Sequence, residues 1–208
     1  MGLFKQRLYY FFSIAVAVLV FQGDARGESG WSMYGADSAN SFSNSRESLL
    51  KPPLVKAWEY QHKAGNAFFE AVVLTPDAAF VSGSLGNRHT VFALDALRGT
   101  HRWQFILPGK GGGSMGVCPA VYPDTQKRLL LFGAQGNDSL FAVEALTGKQ
   151  AWKISGIRGM YDTNPKIYGG TLYFNSSQGS LMGVSAKQGR VLWSLPKMGR
   201  QSDIVIED

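Results

Sequence analysis

The chain has 208 residues, of which 45% are hydrophobic and 17% charged, and its net charge is +6. This composition excludes a disordered chain, and the length allows one sizeable core or a short array of repeats. A single cysteine excludes an internal disulfide and a cysteine-based metal cluster. The basic residues are scattered without a run of four, so the charge gives no reason to expect nucleic-acid binding.

The N-terminus has the pattern of an export signal. Two basic residues precede an almost unbroken apolar run from Leu8 to Phe21, which is shorter than the roughly twenty residues of a membrane-spanning helix. Gly23 and Ala25 are small residues of the kind that signal peptidase requires, so we predict cleavage after Ala25. Residues 1–25 are therefore predicted to be a signal peptide, and the mature protein is expected in the periplasm or outside the cell, without a transmembrane span. An uncleaved membrane anchor is the alternative.

Residues 26–57 are rich in Ser, Asn, Gly and Asp and show little periodicity. We expect an irregular lead-in segment there. The run 54–60 then alternates apolar and polar residues, as a half-buried strand does. The following region, 58–208, is expected to form the folded part of the chain.

An eleven-residue stretch recurs at 93–103, 142–152 and, more loosely, 183–193. Each copy begins with a small residue and has Gly in seventh place and Trp in eleventh. A further tryptophan, Trp58, precedes the Trp of the first copy by about the distance that separates the tryptophans of successive copies. The positions that define this motif are Trp58, Ala93, Asp95, Gly99, Trp103, Ala142, Gly148, Trp152, Gly189 and Trp193.

Each copy closes a unit of four strand-like segments separated by turn residues, and the units span about 68–105, 114–154 and 160–195. The four tryptophans are 45, 49 and 41 residues apart. This period with four short strands per unit is typical of β-propeller blades. The sequence thus predicts an all-β fold of antiparallel four-stranded blades. Within it, we expect a connecting loop at 83–89 and one further strand at 204–206.

The motif has a structural explanation. Its Gly suits a left-handed turn, which costs other residues about a kilocalorie per mole or more. Its Trp can lie against the neighbouring blade and donate the indole N–H to a backbone carbonyl there. The small first residue leaves room for the ring, and the polar residue in third place (Asp95, Glu144 or Ser185) can accept hydrogen bonds from the turn.

The Ala-Leu-Asp-Ala-x-x-Gly-x-x-x-Trp pattern resembles the tryptophan-docking repeat of quinoprotein-type β-propellers, over roughly residues 58–195. This group includes exported alcohol dehydrogenases that use pyrroloquinoline quinone, and also non-catalytic propellers such as the one in the outer-membrane protein assembly machinery. The repeat is a packing device and does not separate the two. The resemblance implies an adjacent cysteine pair and a Ca²⁺ site for the enzymes, whereas this chain has Cys118 alone.

Few other residues suggest chemistry. Asp162, Asn164 and Glu70 could face a channel, but we interpret them as polar lining rather than as a Ca²⁺ site. The Gly111-x-Gly113-x-x-Gly116 pattern precedes a strand-like run and not a helix, so it does not predict a dinucleotide site. Three histidines, at 62, 89 and 101, have unrelated spacings. We predict no catalytic, cofactor-binding or metal-binding residue.

Three blades do not close a propeller of the four to eight blades that are usual. We therefore expect an incomplete ring, either truncated or completed by a protein partner or second chain. The predicted function is that of an exported, non-catalytic propeller scaffold for protein–protein contact, with a mildly basic face formed by the first and third turns of each blade. The alternative is a truncated or degenerate pyrroloquinoline quinone-dependent dehydrogenase that uses Ca²⁺.

Overall fold

The computed structural model describes residues 16–18, 31–42, 56–63, 67–109, 119–124, 127–134, 137–157, 164–176, 178–196, 198 and 204–206. Within these residues the regular structure consists of β-strands, so the predicted all-β fold is confirmed. The strands are β1 (Val16–Val18), β2 (Trp58–Tyr60), β3 (Ala67–Leu74), β4 (Ala78–Leu85), β5 (Arg88–Asp95), β6 (His101–Ile106), β7 (Ala120–Tyr122), β8 (Leu129–Phe132), β9 (Ser139–Glu144), β10 (Gln150–Ser155), β11 (Lys166–Tyr168), β12 (Thr171–Asn175), β13 (Leu181–Ser185) and β14 (Val191–Leu195).

Twelve of these strands form three antiparallel sheets of four, each in simple chain order. We call β3–β6 blade 1, β7–β10 blade 2 and β11–β14 blade 3. The strands β4, β8 and β12 are largely buried, whereas the fourth strand of each blade is mostly exposed or half-buried. The fourth strands are therefore the outer edges of the blades, and the first strands β3, β7 and β11 are the inner edges.

The apolar side chains pack between neighbouring blades. One cluster joins blades 1 and 2 and includes Phe80, Phe132 and Phe141. A second joins blades 2 and 3 around Leu131 and Phe174. The third lies on the other side of blade 1 and includes Trp58. Each blade is thus stabilised mainly by burial against its neighbours, as in other repeat arrays.

A short two-stranded sheet precedes blade 1. Val16–Val18 pairs antiparallel with Trp58–Tyr60, so that Val18 stands opposite Trp58. The strand β1 lies in the apolar run that the sequence predicts as part of a signal peptide, and the rest of residues 1–25 lies outside the described residues. The signal peptide stays a prediction.

Two local predictions were wrong. The expected loop at 83–89 is a tight hairpin, because β4 and β5 pair continuously up to Leu85 and Arg88 and leave only Gly86 and Asn87 in the turn. Gly86 takes a φ of 62°, which suits the first position of a two-residue hairpin turn. The expected strand at 204–206 is not a strand; its backbone instead donates a hydrogen bond from Ile206 N to the Ser38 carbonyl, 3.0 Å away.

Candidate functional site

Three tryptophans join successive sheets through the same contact. The indole N–H of Trp58 donates to the carbonyl of Ala96 in blade 1, at 2.9 Å. Trp103 donates to Ala145 in blade 2 and Trp152 to Ala186 in blade 3, both at 3.1 Å. Each ring therefore bridges from one sheet to the next, from the β1–β2 sheet to blade 1 for Trp58, and the acceptor always lies in the turn before the motif glycine.

The motif glycines lie directly under these rings. Gly99, Gly148 and Gly189 have φ values of 66°, 70° and 67°, in the left-handed region. A Cβ at Gly99 would lie 2.5 Å from the ring of Trp58, and the corresponding distances are 2.7 Å for Gly148 to Trp103 and 2.5 Å for Gly189 to Trp152. Glycine is thus required at these positions for two independent reasons, the backbone angle and the space for the ring.

The polar residue in third place holds the turn in blades 1 and 3. The Asp95 carboxylate accepts hydrogen bonds from the amides of Leu97 and Arg98, at 3.0 and 2.8 Å. The Ser185 hydroxyl accepts one from the amide of Gln188, at 3.3 Å. In blade 2 the Glu144 carboxylate accepts the hydroxyl of Thr147 instead, at 3.0 Å.

The first and third turns of each blade are hydrogen-bonded to each other and share one face. Amide groups in the third turns, those of Ala96, Ala145 and Ala186, donate to carbonyls of the first turns at 3.0–3.2 Å. We call this surface the turn face. The motif tryptophans dock beside it, so the geometry of the repeat fixes its position.

Ion pairs reduce the basic character that the sequence predicts for the turn face. Arg128 of blade 2 contacts Asp77 of blade 1 at 2.6 Å, and Lys187 of blade 3 contacts Asp124 of blade 2 at 3.0 Å. Within blade 2, Lys127 contacts Glu144 at 2.7 Å. Two of these pairs link neighbouring blades, so charges that looked like a binding surface help to align the array.

The pKa values reflect this pairing. A hydrogen bond from Arg102 lowers the pKa of Asp95, and a hydrogen bond from Lys127 lowers that of Glu144. Burial acts to raise the pKa of Asp77, but hydrogen bonds from Thr75 and Arg128 together leave it lowered. These carboxylates are therefore charged partners of basic residues rather than acids able to exchange protons near neutral pH.

Two exposed leucines stand on the turn face. Leu97 is 59% exposed and Leu146 is 72% exposed, and both occupy the fifth position of the repeat. Blade 3 has Lys187 at that position. Sequence reasoning did not identify these leucines, although their position between a buried Ala and the turn Gly was a signal that could have found them.

The outer strand of blade 3 exposes a second apolar surface. Val191, Leu192 and Leu195 are each between 41% and 48% exposed. Trp193 packs on its own blade: a Cβ at Gly183 would lie 2.3 Å from its ring, and the centre of the Tyr173 ring is 5.8 Å away. Among the described residues its indole N–H has no carbonyl acceptor like those of the other three tryptophans.

The remaining sequence candidates do not converge. Glu70 lies in β3 of blade 1 and Asn164 precedes β11 of blade 3, while Asp162, Cys118 and 111–116 lie outside the described residues. No group of three or more His, Cys, Asp or Glu side chains that could hold a metal occurs in the described part of the chain.

The histidines lie in different surroundings. The ring of His62 packs on Phe92, and the ring of His101 stacks on Tyr60, with burial lowering the pKa of His101. His89 is buried in β5, and its ring nitrogens have no hydrogen-bond partner among the described residues. His89 lies in β5, within the range expected to be a loop, and His101 begins β6.

These sheets and contacts define an array of tryptophan-docked β-propeller blades. The family model described as outer membrane protein assembly factor BamB matches residues 23–205. The chain therefore belongs to that family. No helix among the described residues is long and apolar enough to cross a membrane.

Solved structures are similar at low identity, and the two with a TM-score above 0.5 show the same fold. The quinohemoprotein alcohol dehydrogenase of Comamonas testosteroni is similar with a TM-score of 0.53 and 18% identity, over 83% of this chain and 28% of that one. A europium-containing methanol dehydrogenase gives 0.51 and 15%, over 82% and 32%. BamB of Moraxella catarrhalis gives 0.48 and 18%, over 68% and 40%. The chain thus spans less than half the length of these structures. No curated protein matches it.

Proposed function

We propose that this chain is an exported, non-catalytic β-propeller scaffold that takes part in the assembly of outer-membrane proteins. The main observation is that the repeated motif residues are used in packing one sheet on the next, through the three indole contacts to Ala96, Ala145 and Ala186. The family description, which names an assembly factor, supports this role.

The turn face is the surface we assign to partner binding. Leu97 and Leu146 project from consecutive blades, and neighbouring charges are largely neutralised by ion pairs such as Arg128–Asp77. Exposed apolar side chains surrounded by polar groups are typical of protein–protein contact surfaces. A protein partner with an apolar patch therefore fits this face better than a strongly acidic ligand.

A complementation experiment tests this assignment. In a strain that lacks the gene, the double variant Leu97→Asp/Leu146→Asp is expected to leave folded outer-membrane proteins at the level of the deletion. The control Gln104→Asp adds a charge at an exposed position of outer strand β6 and is expected to complement fully. Both purified variants should unfold at the same denaturant concentration as the wild type. Full complementation by the double variant would rule out the turn face as the binding surface.

We further propose that another polypeptide completes the propeller against blade 3. Trp193 with the exposed Val191, Leu192 and Leu195 offers the surface on which a following blade would pack. Light scattering on the purified mature chain is expected to show association that increases with concentration. A stable monomer at all concentrations would contradict this proposal without affecting the role of the turn face.

Reconstitution separates the scaffold from the enzymatic alternative. Addition of pyrroloquinoline quinone and Ca²⁺ is expected to change neither the absorbance spectrum of the cofactor nor the melting temperature of the protein. Quinone-dependent dye reduction with alcohols would show that the chain is part of a dehydrogenase and would refute the non-catalytic role.

Export has its own test. Mass spectrometry of the protein recovered from the periplasm or medium is expected to give a chain that starts at Arg26. A chain that keeps its first 25 residues and stays with the membrane would show an uncleaved anchor instead.

A further inference from the structure

Lys166 is fully buried, although lysine is almost never buried without partners. The strand pairings place it in the same row across blade 3 as the tryptophan of the motif, Trp193. In blades 1 and 2 the corresponding row begins with Val73 and Ala120, which are also fully buried. Blade 3 therefore carries a charged side chain where its sister blades carry apolar ones.

The ammonium group of Lys166 is surrounded by oxygen atoms of the lead-in segment. Its Nζ donates to the carbonyl of Tyr34, to the carbonyl of Asp37 at 3.2 Å, and to the side-chain amide oxygen of Asn40. It also lies 5.7 Å from the centre of the Tyr34 ring. Three acceptors match the three N–H groups of a lysine, so the cage offsets the loss of hydration that burial imposes.

The nearby Asp37 supplies a negative charge to this cage. Hydrogen bonds from the hydroxyl and the amide of Ser41 lower the pKa of Asp37, and Lys166 lowers it further. The carboxylate is thus ionised while it shapes the turn that surrounds the ammonium group.

The caged segment crosses all three blades at their inner edges. The amide of Leu74 in β3 donates to the carbonyl of Trp31, and the amide of Val121 in β7 donates to that of Ser32, both at 2.7 Å. Met33 is buried in the cluster between blades 2 and 3. Residues 31–42, which we call the strap, therefore contact blade 1, blade 2 and then blade 3 in chain order.

The strap has a strained backbone. Ala36, Asn40 and Phe42 have φ values of 75°, 55° and 49°, in the left-handed region that is unfavourable for non-glycine residues. A Cβ at Gly35 would lie 2.2 Å from the side-chain oxygen of Asn40. Such a conformation persists only where surrounding contacts hold it, and the three bonds from Lys166 are the contacts that involve a buried charge.

We propose that Lys166 latches the strap, so that residues 31–42 detach from the inner edges as one unit when the ammonium group is removed, while the blades stay folded. The latched strap covers the edge amides of Leu74 in β3 and Val121 in β7, which would otherwise be open to pairing with another chain. This device is independent of the proposed scaffold function.

The test substitutes the residue that blade 1 has at the equivalent position. Lys166→Val places an apolar side chain, like that of Val73, in the core of the blade and removes the ammonium group. Amide hydrogen exchange of the full chain, followed by NMR, is expected to be at least about tenfold faster in residues 31–42 and at Leu74 and Val121. Exchange in β4, β5, β12 and β13 is expected to be unchanged.

Two further variants keep the test decisive. Asn40→Ala removes one oxygen of the cage and is expected to accelerate exchange in the strap in the same way. Lys153→Val removes an exposed lysine from outer strand β10 and is expected to leave exchange in the strap unchanged. Unchanged exchange in the strap of Lys166→Val would overturn the proposal. So would faster exchange throughout blade 3, because Lys166 would then stabilise the blade and not the strap.

Discussion

At the scale of single residues, the contact between glycine and tryptophan explains the repeat. Gly148 combines a left-handed φ of 70° with a ring of Trp103 that a Cβ would approach to 2.7 Å. Gly156 has a similar φ of 78°, but no atom lies within 4 Å of its Cβ position. The two glycines therefore separate the cost of the backbone angle from the cost of displacing the ring.

We predict that Gly148→Ala lowers the free energy of unfolding by about 2–4 kcal/mol, because it adds overpacking to the backbone cost. Gly156→Ala should cost only about 1 kcal/mol, since it has the backbone term alone. Urea unfolding of both variants measures the difference. Equal costs would mean that the ring moves aside freely and that the docking contact contributes little.

Asp95 gives a prediction for pH. Its pKa is held below the ordinary value of 3.8, first by the hydrogen bond from Arg102 and also by the amides of Arg98 and Leu97. A carboxyl with a lowered folded pKa stabilises the protein above its unfolded pKa, and this contribution is lost as the pH falls through the folded value.

We therefore expect Asp95→Asn to destabilise the protein at pH 7 and progressively less as the pH falls below about 4. Unfolding free energies of the two proteins, measured from pH 7 down to pH 2.5, check this expectation. A loss of unfolding free energy that is the same at every pH would show that the charge of Asp95 does not matter in the turn. The loss would then come from the geometry of the asparagine side chain.

At the scale of elements, the blade was predictable and the strap was not. Gly and Trp at fixed spacing indicated the four-stranded units because the turn angle and the ring contact restrict those two positions locally. The hairpin at Gly86 was missed because β4 and β5 continue through small and polar residues. The strap depends on Lys166, which is 132 residues from Tyr34, and no local pattern reports a contact over that distance.

The candidate site was predictable to a similar extent. The sequence indicated which turns share a face, but it suggested a mildly basic surface. The structure pairs Arg128 with Asp77 and Lys187 with Asp124 between blades, and these pairs depend on blade-to-blade geometry. The exposed leucines 97 and 146 lie in turns and were overlooked because leucine is usually buried.

Two variants separate the contribution of the aromatic ring to the docking contact from that of the indole hydrogen bond. Trp103→Phe keeps an aromatic ring over Gly148 but removes the bond to the Ala145 carbonyl, and we expect a loss of about 1–2 kcal/mol in unfolding free energy. Trp193→Phe, in the isolated chain, is expected to cost less than half as much because its N–H has no such carbonyl acceptor among the described residues. Denaturant unfolding compares the two, and equal losses would contradict this division.

At the scale of the whole molecule, each blade packs on its nearest neighbours. Blade 3 is the most exposed of the three. The outer strands β6 and β10 carry Arg102 and Lys153, whereas β14 (Val191–Leu195) carries no charge. Charged side chains on an edge strand oppose pairing with other chains, so β14 is the edge least protected against association.

We predict that Leu192→Lys reduces the association of the purified chain, since it places a charge where blade 1 has Arg102. Light scattering at several protein concentrations measures this, and Leu97→Lys on the turn face is the matched control. If the control reduced association equally, self-association would occur through the turn face instead.

The buried lysine also sets an order of events in folding. The strap is synthesised before any blade, but its anchor is Lys166, at the start of the third. Residues 31–42 can therefore take their final place only after more than 120 later residues have been made and blade 3 has formed. Because Val73 and Ala120 offer no charge at the equivalent positions, the turn from Tyr34 to Asn40 cannot make the same contacts on an earlier blade. One residue thus distinguishes otherwise similar repeats and makes the placement of residues 31–42 depend on blade 3.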